Sequence, residues 1–282
     1  MVSAMLAGCG SKNAETQSAA DTTAESAASG DETSADTQAA DAETTDAETT
    51  DASKTDGTFT VGFDQDFPPM GFVGDDGEFT GFDLEMAAEV AKRLNLMIAY
   101  QPIAWDAKDM ELDAGTIDCI WNGFTMNGRE DDYEWSKPYM KNNQVFVVRG
   151  DSDINSEADL AGKNVEVQTD SSAEAALNDN SELTSTFGSL TPVADYNTAF
   201  MDLESGAVDA IAMDDVVASY QITSRKADFK VLDDVIAAEE YGIGFKKGNT
   251  GLRDKVQATL EEMAADGTAA KISEKWFGKD IT

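Results

Sequence analysis

The sequence predicts an α/β protein of two lobes, each built from a mainly parallel sheet flanked by helices. From residue 58 onward, short apolar runs alternate with stretches of helical spacing, which is typical of parallel sheets with right-handed crossovers. A motif also recurs: Leu112-Asp-Ala-Gly-Thr-Ile-Asp118 and Leu203-Glu-Ser-Gly-Ala-Val-Asp209 each place a glycine and an aspartate between a helix end and a strand. The repeat indicates two lobes of similar architecture, although glycine before a strand is common enough for a chance match.

The first half of the folded region alternates cleanly. Leu84, Ala87 and Leu94 recur on one helical face, and Gly115 is placed to end a short helix. The predicted elements are strand 59–63, a polar and aromatic loop at 64–81, helix 83–94, strand 96–100, a short helix at 110–114 and strand 117–124.

The second half repeats the alternation and ends in helices. Asn197 is a residue type that caps helix N-termini, so we assign it as the cap of the helix that ends at residue 205. The predicted elements are strands 144–149 and 165–167, helices 173–178 and 197–205, strand 208–213, helix 216–224, and helices 252–265 and 269–276.

Composition excludes several classes of function. The formal net charge of −35 argues against binding to nucleic acid or to anionic lipid, since both need basic patches. The chain has no histidine, which excludes histidine-based triads, general bases and metal sites. We expect no cofactor, no metal and no catalytic residue.

The N-terminal region predicts an anchor and a spacer. Leu6-Ala7-Gly8-Cys9 resembles the lipobox of bacterial lipoproteins, which implies lipid attachment at Cys9; a chance match is the alternative. Residues 1–8 lack a basic segment and a long apolar run, so residues 1–9 are interpreted as the remnant of a truncated signal. Residues 10–57 are acidic and contain no aromatic or β-branched apolar residue, which predicts a disordered tether; a plain disordered tail fits the composition equally well.

Two aromatic residues are candidates for ligand contact. Pro68-Pro69 restricts the backbone next to Phe67, so that ring loses little entropy on binding. Trp105 follows the strand that ends near Gln101-Pro102, again at a carboxyl end. Both rings could stack on a flat or aliphatic ligand; the alternative is that aromatic residues of this loop belong to the core.

The candidate binding loop follows the apolar run at residues 119–121. It reads Asn122-Gly-Phe-Thr-Met-Asn-Gly-Arg129, and polar loops at the carboxyl ends of strands are where α/β proteins place ligand groups. Arg129 is either a surface charge or a clamp for a carboxylate.

Five segments together carry a family resemblance. They resemble the polar amino-acid substrate-binding proteins of ABC importers over residues 58–278. The segments are Val61-Gly-Phe-Asp-Gln-Asp-Phe-Pro-Pro-Met-Gly-Phe72, Gly81-Phe-Asp-Leu-Glu-Met-Ala87, Trp121-Asn-Gly-Phe-Thr-Met-Asn-Gly-Arg-Glu130, Tyr241-Gly-Ile-Gly-Phe-Lys-Lys-Gly248 and Lys275-Trp-Phe-Gly278.

The resemblance implies a fold and a set of ligand contacts. The fold is a type II periplasmic-binding-protein clamp, a Venus flytrap, with lobe 1 at 58–143 and 239–282, lobe 2 at 144–238, and two hinge crossings. The side chain of the ligand is implied to meet Asp64, Phe67 and Trp105, and its α-ammonium Asp214. The α-carboxylate is implied to meet Thr125, Arg129 and the segment with Gln168, Ser171 and Ser172; Asn122 and Gly123 complete the predicted site.

The chemistry of an amino acid agrees with this allocation. A free amino acid is a zwitterion, and a binding site can remove it from water only if the site offers a cation and an anion at a fixed separation. Arginine offers two charge-assisted hydrogen bonds to a carboxylate, and a helix beginning after Ser171 adds free N–H groups. Asp64 favours a basic or amide side chain.

We therefore predict an extracytoplasmic receptor, held by lipid at the outer face of the cytoplasmic membrane, that binds a polar L-amino acid and passes it to an ABC permease. We expect a monomer, not an enzyme. The alternative is a cyclohexadienyl dehydratase acting on prephenate or arogenate, built on the same fold, for which Asp64 is the candidate acid. A sensory domain is a third possibility.

Overall fold

A computed structural model of the chain describes residues 57–281, so Cys9 and residues 10–56 of the predicted tether lie outside the described residues. The strands are Thr58–Phe63 (β1), Asp66–Phe67 (β2), Gly71–Val73 (β3), Phe79–Thr80 (β4), Met97–Pro102 (β5), Cys119–Thr125 (β6), Glu134–Trp135 (β7), Met140–Arg149 (β8), Asn164–Gln168 (β9), Ser189–Val193 (β10), Ala210–Asp214 (β11) and Phe229–Phe245 (β12). The helices are Phe82–Arg93 (α1), Lys108–Ala114 (α2), Ser172–Asp179 (α3), Ser181–Thr184 (α4), Tyr196–Ser205 (α5), Asp215–Arg225 (α6), Thr250–Ala265 (α7) and Thr268–Phe277 (α8).

The main sheet contains two sets of three parallel strands. The order is β10-β9-β11-β8-β12-β6-β1-β5, with β7 paired to β12 beside it. β5, β1 and β6 are parallel, and so are β10, β9 and β11. The long strands β8 and β12 lie between the two sets and run antiparallel to each other and to their neighbours. The sheet is thus two similar halves joined by two crossing strands, and the predicted α/β fold is confirmed.

The predicted lobe boundaries fall inside the crossing strands. In the register of β8 with β12, Asn143 is opposite Ala238 and Asn142 is opposite Glu239. The predicted changes of lobe, at 143/144 and 238/239, therefore lie at one point of the sheet. The assignment of 58–143 and 239–282 to one lobe and 144–238 to the other stays a prediction.

The repeated motif has the same structure in both halves. Gly115 and Gly206 end their helices with φ of 71° and 80°, in the left-handed region that favours glycine. The Asp118 carboxylate accepts a hydrogen bond from the N–H of Thr60 on the neighbouring strand at 2.7 Å. Likewise, the Asp209 carboxylate accepts one from the N–H of Asn164 at 2.9 Å. Each aspartate ties the start of its strand to the central strand of its set, so the repeat is structural.

The core positions the site strands. All seven residues of β6 are buried, and Trp121 is a fully buried side chain on it. Because β6 packs on both faces, the loop that follows it leaves a rigid strand. None of the helices in residues 57–281 is long and apolar enough to cross a membrane.

The loop predicted at 64–81 and the predicted cap of α5 differ from the structure, and β7, β10 and α4 were not predicted. Residues 64–81, predicted as a loop, contain the three-stranded sheet β2-β3-β4, whose strands of two or three residues are too short to show periodicity. Asn197 does not cap α5: the helix starts at Tyr196, and the Asp195 carboxylate accepts a hydrogen bond from the N–H of Thr198 at 2.8 Å. Asn197 instead donates to Asp66 Oδ1 at 2.8 Å.

Replacing Gly81 by alanine is expected to be strongly destabilising. Gly81 has a φ of 145°, and a Cβ there would lie 2.2 Å from the carbonyl oxygen of Met70. Strain and steric overlap together predict a loss of about 3–5 kcal/mol in the free energy of unfolding, measured by urea titration. Gly77→Ala is the control. Gly77 also has a positive φ, 83°, but nothing lies within 4 Å of the added Cβ, so about 1–2 kcal/mol is expected. Equal losses would contradict the packing explanation.

Candidate ligand-binding site

The candidate site lies where strands of both parallel sets end. Asp64 follows β1, Trp105 follows β5, and Arg129 is in the loop after β6. Gln168 ends β9 and Asp214 ends β11, so the second set contributes from its own carboxyl ends. Parallel strands expose free backbone groups and loops at this edge, which makes it the usual ligand position in α/β folds.

Ten of the eleven sequence-predicted site residues line one pocket; Asp64 lines a neighbouring chamber. The lining residues are Phe67, Trp105, Asn122, Gly123, Thr125, Arg129, Gln168, Ser171, Ser172 and Asp214. Asn122 is 1% exposed, and neither polar atom of its amide has a hydrogen-bond partner among residues 57–281. The structure brings the predicted residues together, and their roles stay predictions.

Arg129 reaches the pocket through a tight turn. Its N–H donates to the carbonyl of Met126 at 2.9 Å, and Gly128 has a φ of 79°. The guanidinium donates to the carbonyl oxygens of Thr125 at 3.3 Å and Asp170 at 3.2 Å, and lies 5.5 Å from the ring centre of Phe124. No acidic side chain of residues 57–281 forms an ion pair with it. A guanidinium without a carboxylate partner is available to bind an anion.

The start of α3 faces Arg129 from the other set of strands. Ser171 is its N-cap, and the Ser171 hydroxyl accepts a hydrogen bond from the N–H of Glu174 at 3.1 Å. The Thr125 hydroxyl and the Ser172 hydroxyl are 3.1 Å apart, which joins β6 to α3 across the pocket. The first turn of a helix carries unpaired N–H groups and a positive dipole end, so this side also favours an anion.

Asp214 is the acidic residue in the pocket lining and is firmly held. It is 3% exposed, and its Oδ1 accepts hydrogen bonds from Gln144 Nε2 at 2.8 Å, from Asn142 Nδ2 at 3.2 Å and from the hydroxyl of Tyr241. Burial and the nearby carboxyl of Glu239 raise the pKa of Asp214 well above its usual range. A buried acid without a basic partner is a natural site for a cationic group.

Asp64 points inward, into a second chamber beside the pocket. Its Oδ2 accepts a hydrogen bond from Gln168 Nε2 at 2.6 Å, and its Oδ1 accepts one from the N–H of Asp66 at 2.8 Å. Burial raises the pKa of Asp64 to about 6. The two hydrogen bonds favour the ionised form and therefore lower the pKa, but burial has the larger effect. The chamber measures about 430 Å³, shares Trp105 with the pocket, and is lined by four aspartates and no basic residue: Asp64, Asp66, Asp106 and Asp195.

Five buried polar residues near the site were missed by sequence reasoning. Asn142 and Gln144 lie on β8, Glu239 and Tyr241 on β12, and all four contact Asp214 or its neighbours. Lys108 is 1% exposed; it pairs with the Asp170 side chain and lies 5.1 Å from the ring centre of Trp105. Strand alternation could have revealed the first four, because 142 and 144, like 239 and 241, share a face.

The two sets of strands are closed on each other at the site. Gln168 contacts Asp64, Ser172 contacts Thr125, and Asp170 contacts both Arg129 and Lys108. The space enclosed in the pocket is about 10 Å³, room for about one water molecule. A free amino acid enters only if the two sets move apart.

The sheet consists of two similar sets of strands joined by two crossing strands, and the sets close over a pocket that is lined by a basic residue on one side and an acidic residue on the other. This arrangement defines a two-lobed clamp of the type II periplasmic-binding-protein class. The chain belongs to the bacterial extracellular solute-binding proteins, family 3, which residues 59–279 match.

Individual relatives bind different amino acids. The L-cystine-binding protein TcyJ of Escherichia coli K12 is 34% identical over 228 residues, covering 80% of this chain and 84% of that protein. An ABC uptake transporter substrate-binding protein of Streptococcus pneumoniae, solved with bound histidine, has a TM-score of 0.78 and 34% identity, covering 80% of this chain and 94% of that one. An ancestral arginine-binding protein, solved with arginine and with glutamine, has a TM-score of 0.73 and 36% identity, covering 79% and 99% of the two chains.

These comparisons confirm the predicted family and the prediction that the chain is not an enzyme, because the family consists of solute-binding proteins. The dehydratase alternative is therefore set aside. The ligands of these relatives, cystine, histidine, arginine and glutamine, are all polar amino acids. Because the relatives differ in their ligands, the comparisons do not identify the amino acid that this chain binds.

Proposed function

We propose that this chain is an extracytoplasmic receptor that captures one polar L-amino acid by closure of its lobes and delivers it to an ABC importer. The observation that carries the proposal is the pairing of opposite charges in one pocket. Arg129 enters from the loop after β6, and Asp214 enters from the end of β11 in the other set. A free amino acid carries the complementary pair of charges at a fixed separation.

The α-carboxylate of the ligand takes the place of backbone contacts at Arg129. In the closed form, the guanidinium donates to the carbonyls of Thr125 and Asp170, which are neutral acceptors. A carboxylate makes stronger, charge-assisted hydrogen bonds with the same donors. The free N–H groups at the start of α3 approach the carboxylate from the opposite lobe, so the ligand stabilises the closed form over the open one.

The side chain of the ligand extends past Trp105 towards Asp64. Four aspartates and no basic residue line that chamber, which favours a cationic or amide side chain and opposes a carboxylate. Arginine, lysine, histidine and glutamine satisfy this requirement. Cystine fits less well: its far end adds an ammonium group, which the aspartates favour, but also a carboxylate, which meets no cation in the lining of the chamber.

A thermal-shift panel tests the receptor proposal. Each of the common L-amino acids and cystine is added at millimolar concentration, and the midpoint of unfolding is measured. A ligand that binds only the folded state stabilises it by RT ln(1 + [L]/Kd), so we expect large shifts with one or a few basic or amide amino acids. No shift with any of them would reject the proposal, and a shift with glutamate or aspartate alone would reject the assigned side-chain preference.

Affinity for a basic amino acid is expected to fall below pH 6. The pKa of Asp64 is raised to about 6 in the folded protein, so the carboxylate is ionised at pH 7.5 and mostly protonated at pH 5. Only the ionised form pairs with a cationic side chain, which predicts affinity about tenfold weaker at pH 5 than at pH 7.5.

Titration calorimetry of wild type and Asp64→Asn at both pH values measures this effect. Asparagine accepts the Gln168 hydrogen bond but does not titrate, so the variant should bind more weakly at pH 7.5 and show little change at pH 5. The same tenfold dependence in Asp64→Asn would place the titrating group elsewhere.

Attachment to the membrane is part of the proposal. It rests on the sequence Leu6-Ala7-Gly8-Cys9 and on the acidic spacer that follows, both of which precede the described residues. A lipid at Cys9 would hold the receptor near its permease while the spacer lets the clamp move.

A further inference from the structure

Two buried carboxyl groups lie together at the pocket: Asp214 lines it, and Glu239 lies beside Asp214. Glu239 is 5% exposed and Asp214 is 3% exposed. Both accept hydrogen bonds from the same two amide nitrogens, Gln144 Nε2 and Asn142 Nδ2. Neither carboxyl forms an ion pair with a lysine or arginine anywhere in residues 57–281. Two ionised carboxylates in such a place would repel each other without compensation.

The hydrogen bonds around the pair are short of donors. Gln144 Nε2 has three acceptors within 2.9 Å, namely Ser172 Oγ, Asp214 Oδ1 and Glu239 Oε1. Asn142 Nδ2 also has three acceptors within 3.2 Å, namely Asp214 Oδ1, Glu239 Oε1 and the carbonyl oxygen of Asn143. An amide nitrogen carries only two hydrogens. A proton on one carboxyl group supplies the missing donor.

Charge balance also indicates that the two carboxyl groups together hold one proton. The pocket holds one cation, Arg129, and one α-ammonium arrives with one α-carboxylate. A pair with one negative charge balances Arg129 before binding and leaves the occupied site neutral. A pair with two negative charges would leave an unpaired buried charge in both states, which is strongly unfavourable.

We propose that Asp214 and Glu239 form a carboxylic acid–carboxylate pair that holds a single proton with and without ligand. The pair then presents one negative charge to one ammonium group, and Glu239 is a positioning residue that orients Asp214. This inference rests on the proposed amino-acid receptor function. Because both carboxyl groups accept hydrogen bonds from the same two amide nitrogens, the proton belongs to the pair and not to one residue alone.

The other groups facing the pair do not supply a competing charge at neutral pH. Burial raises the pKa of Tyr241 and of Tyr196 well above their usual range, so both phenols stay neutral. The remaining polar neighbours are uncharged: Thr125 from β6, Asn142 and Gln144 from β8, and Ser172 from α3. Arg129 is the cation of the same pocket, and it contacts carbonyl groups.

Variants at residue 239 test the single proton. Glutamine is neutral and can both donate and accept, as a protonated glutamate does, so Glu239→Gln should rescue the affinity that Glu239→Ala loses. We expect the affinity for the amino acid to fall less than fivefold in Glu239→Gln and more than twentyfold in Glu239→Ala. Glu240→Gln, the next residue on β12 and outside the pocket, is the matched control and should bind like wild type.

Proton counting gives a second, independent readout. Calorimetry at pH 7.5 in buffers of different ionisation enthalpy should show no net proton uptake or release when wild type binds its ligand. A gain or loss of one proton, or a loss for Glu239→Gln as large as for Asp214→Asn, would overturn the single-proton pair. Absence of amino-acid binding by wild type would instead reject the receptor function itself.

Discussion

Replacing Arg129 by alanine is expected to remove almost all affinity for the amino acid while the protein stays folded. The guanidinium is the cation of the pocket and has no acidic partner in residues 57–281, so its charge is available to the α-carboxylate. Removing one partner of a buried, hydrogen-bonded charge pair costs about 2–5 kcal/mol of binding free energy. At about 1.4 kcal/mol per factor of ten, a loss on the order of a hundredfold or more follows. Titration calorimetry measures it.

Two variants make the Arg129 experiment specific. Arg129→Lys keeps the charge but not the two-pronged geometry, so intermediate affinity is expected. Arg93→Ala removes an arginine of α1 that pairs with Glu89 and Asp266 far from the pocket lining, and it should leave affinity unchanged. Circular dichroism should show all three folded. Wild-type affinity in Arg129→Ala would mean that the carboxylate is bound elsewhere.

Replacing Asp214 by asparagine is expected to weaken binding and to stabilise the fold at the same time. The α-ammonium loses its anionic partner, which again predicts a loss of about a hundredfold. The raised pKa shows that the folded protein holds this proton more tightly than the unfolded chain does. As pH rises, ionisation of the buried carboxyl group therefore lowers the free energy of unfolding. The neutral amide of asparagine does not ionise, so the variant does not lose this stability. We therefore expect the free energy of unfolding at pH 7.5 to be higher in Asp214→Asn than in wild type.

Urea unfolding and calorimetry on one preparation measure both effects. Asp215→Asn is the matched control, because Asp215 is the adjacent residue at the start of α6 and does not line the pocket. It should leave affinity unchanged. Loss of stability in Asp214→Asn would show that the carboxylate is needed for folding, and full affinity would exclude it as the ammonium partner.

The parallel halves could be predicted because they depend on local pattern, whereas most of the pocket lining was implied by the family resemblance. Strand ends in the first set, as at Asp64 and Arg129, follow from short apolar runs that stop at polar residues. The fold then gathers such ends at one edge, whatever the details of packing. Arg129 alone was ambiguous, and only the fold shows that it lines the same pocket as Asp214.

The elements that escaped prediction depend on partners distant in sequence. Glu239 looks like half of an exposed acidic pair with Glu240, and its burial appears only once β12 pairs with β8 and places it opposite Asn142. Lys108 is buried and pairs with Asp170, which follows β9 in the other set of strands, 62 positions away in sequence. β10 is an edge strand with exposed residues and a proline, Pro192, so it lacks an apolar pattern.

The residues that hold Asp214 lie on the two crossing strands, and their position has a mechanical consequence. Asn142 and Gln144 belong to one crossing strand and Glu239 to the other, so these residues lie on the strands that join the two sets, where we expect the pivot of closure. Points near a pivot move little when the two arms rotate. We therefore expect this side of the cleft to stay nearly assembled in the open clamp, and Arg129 and the start of α3, which belong to different sets of strands, to meet only on closure. We expect the ammonium group to dock first and the carboxylate to act as the trigger that shuts the arms.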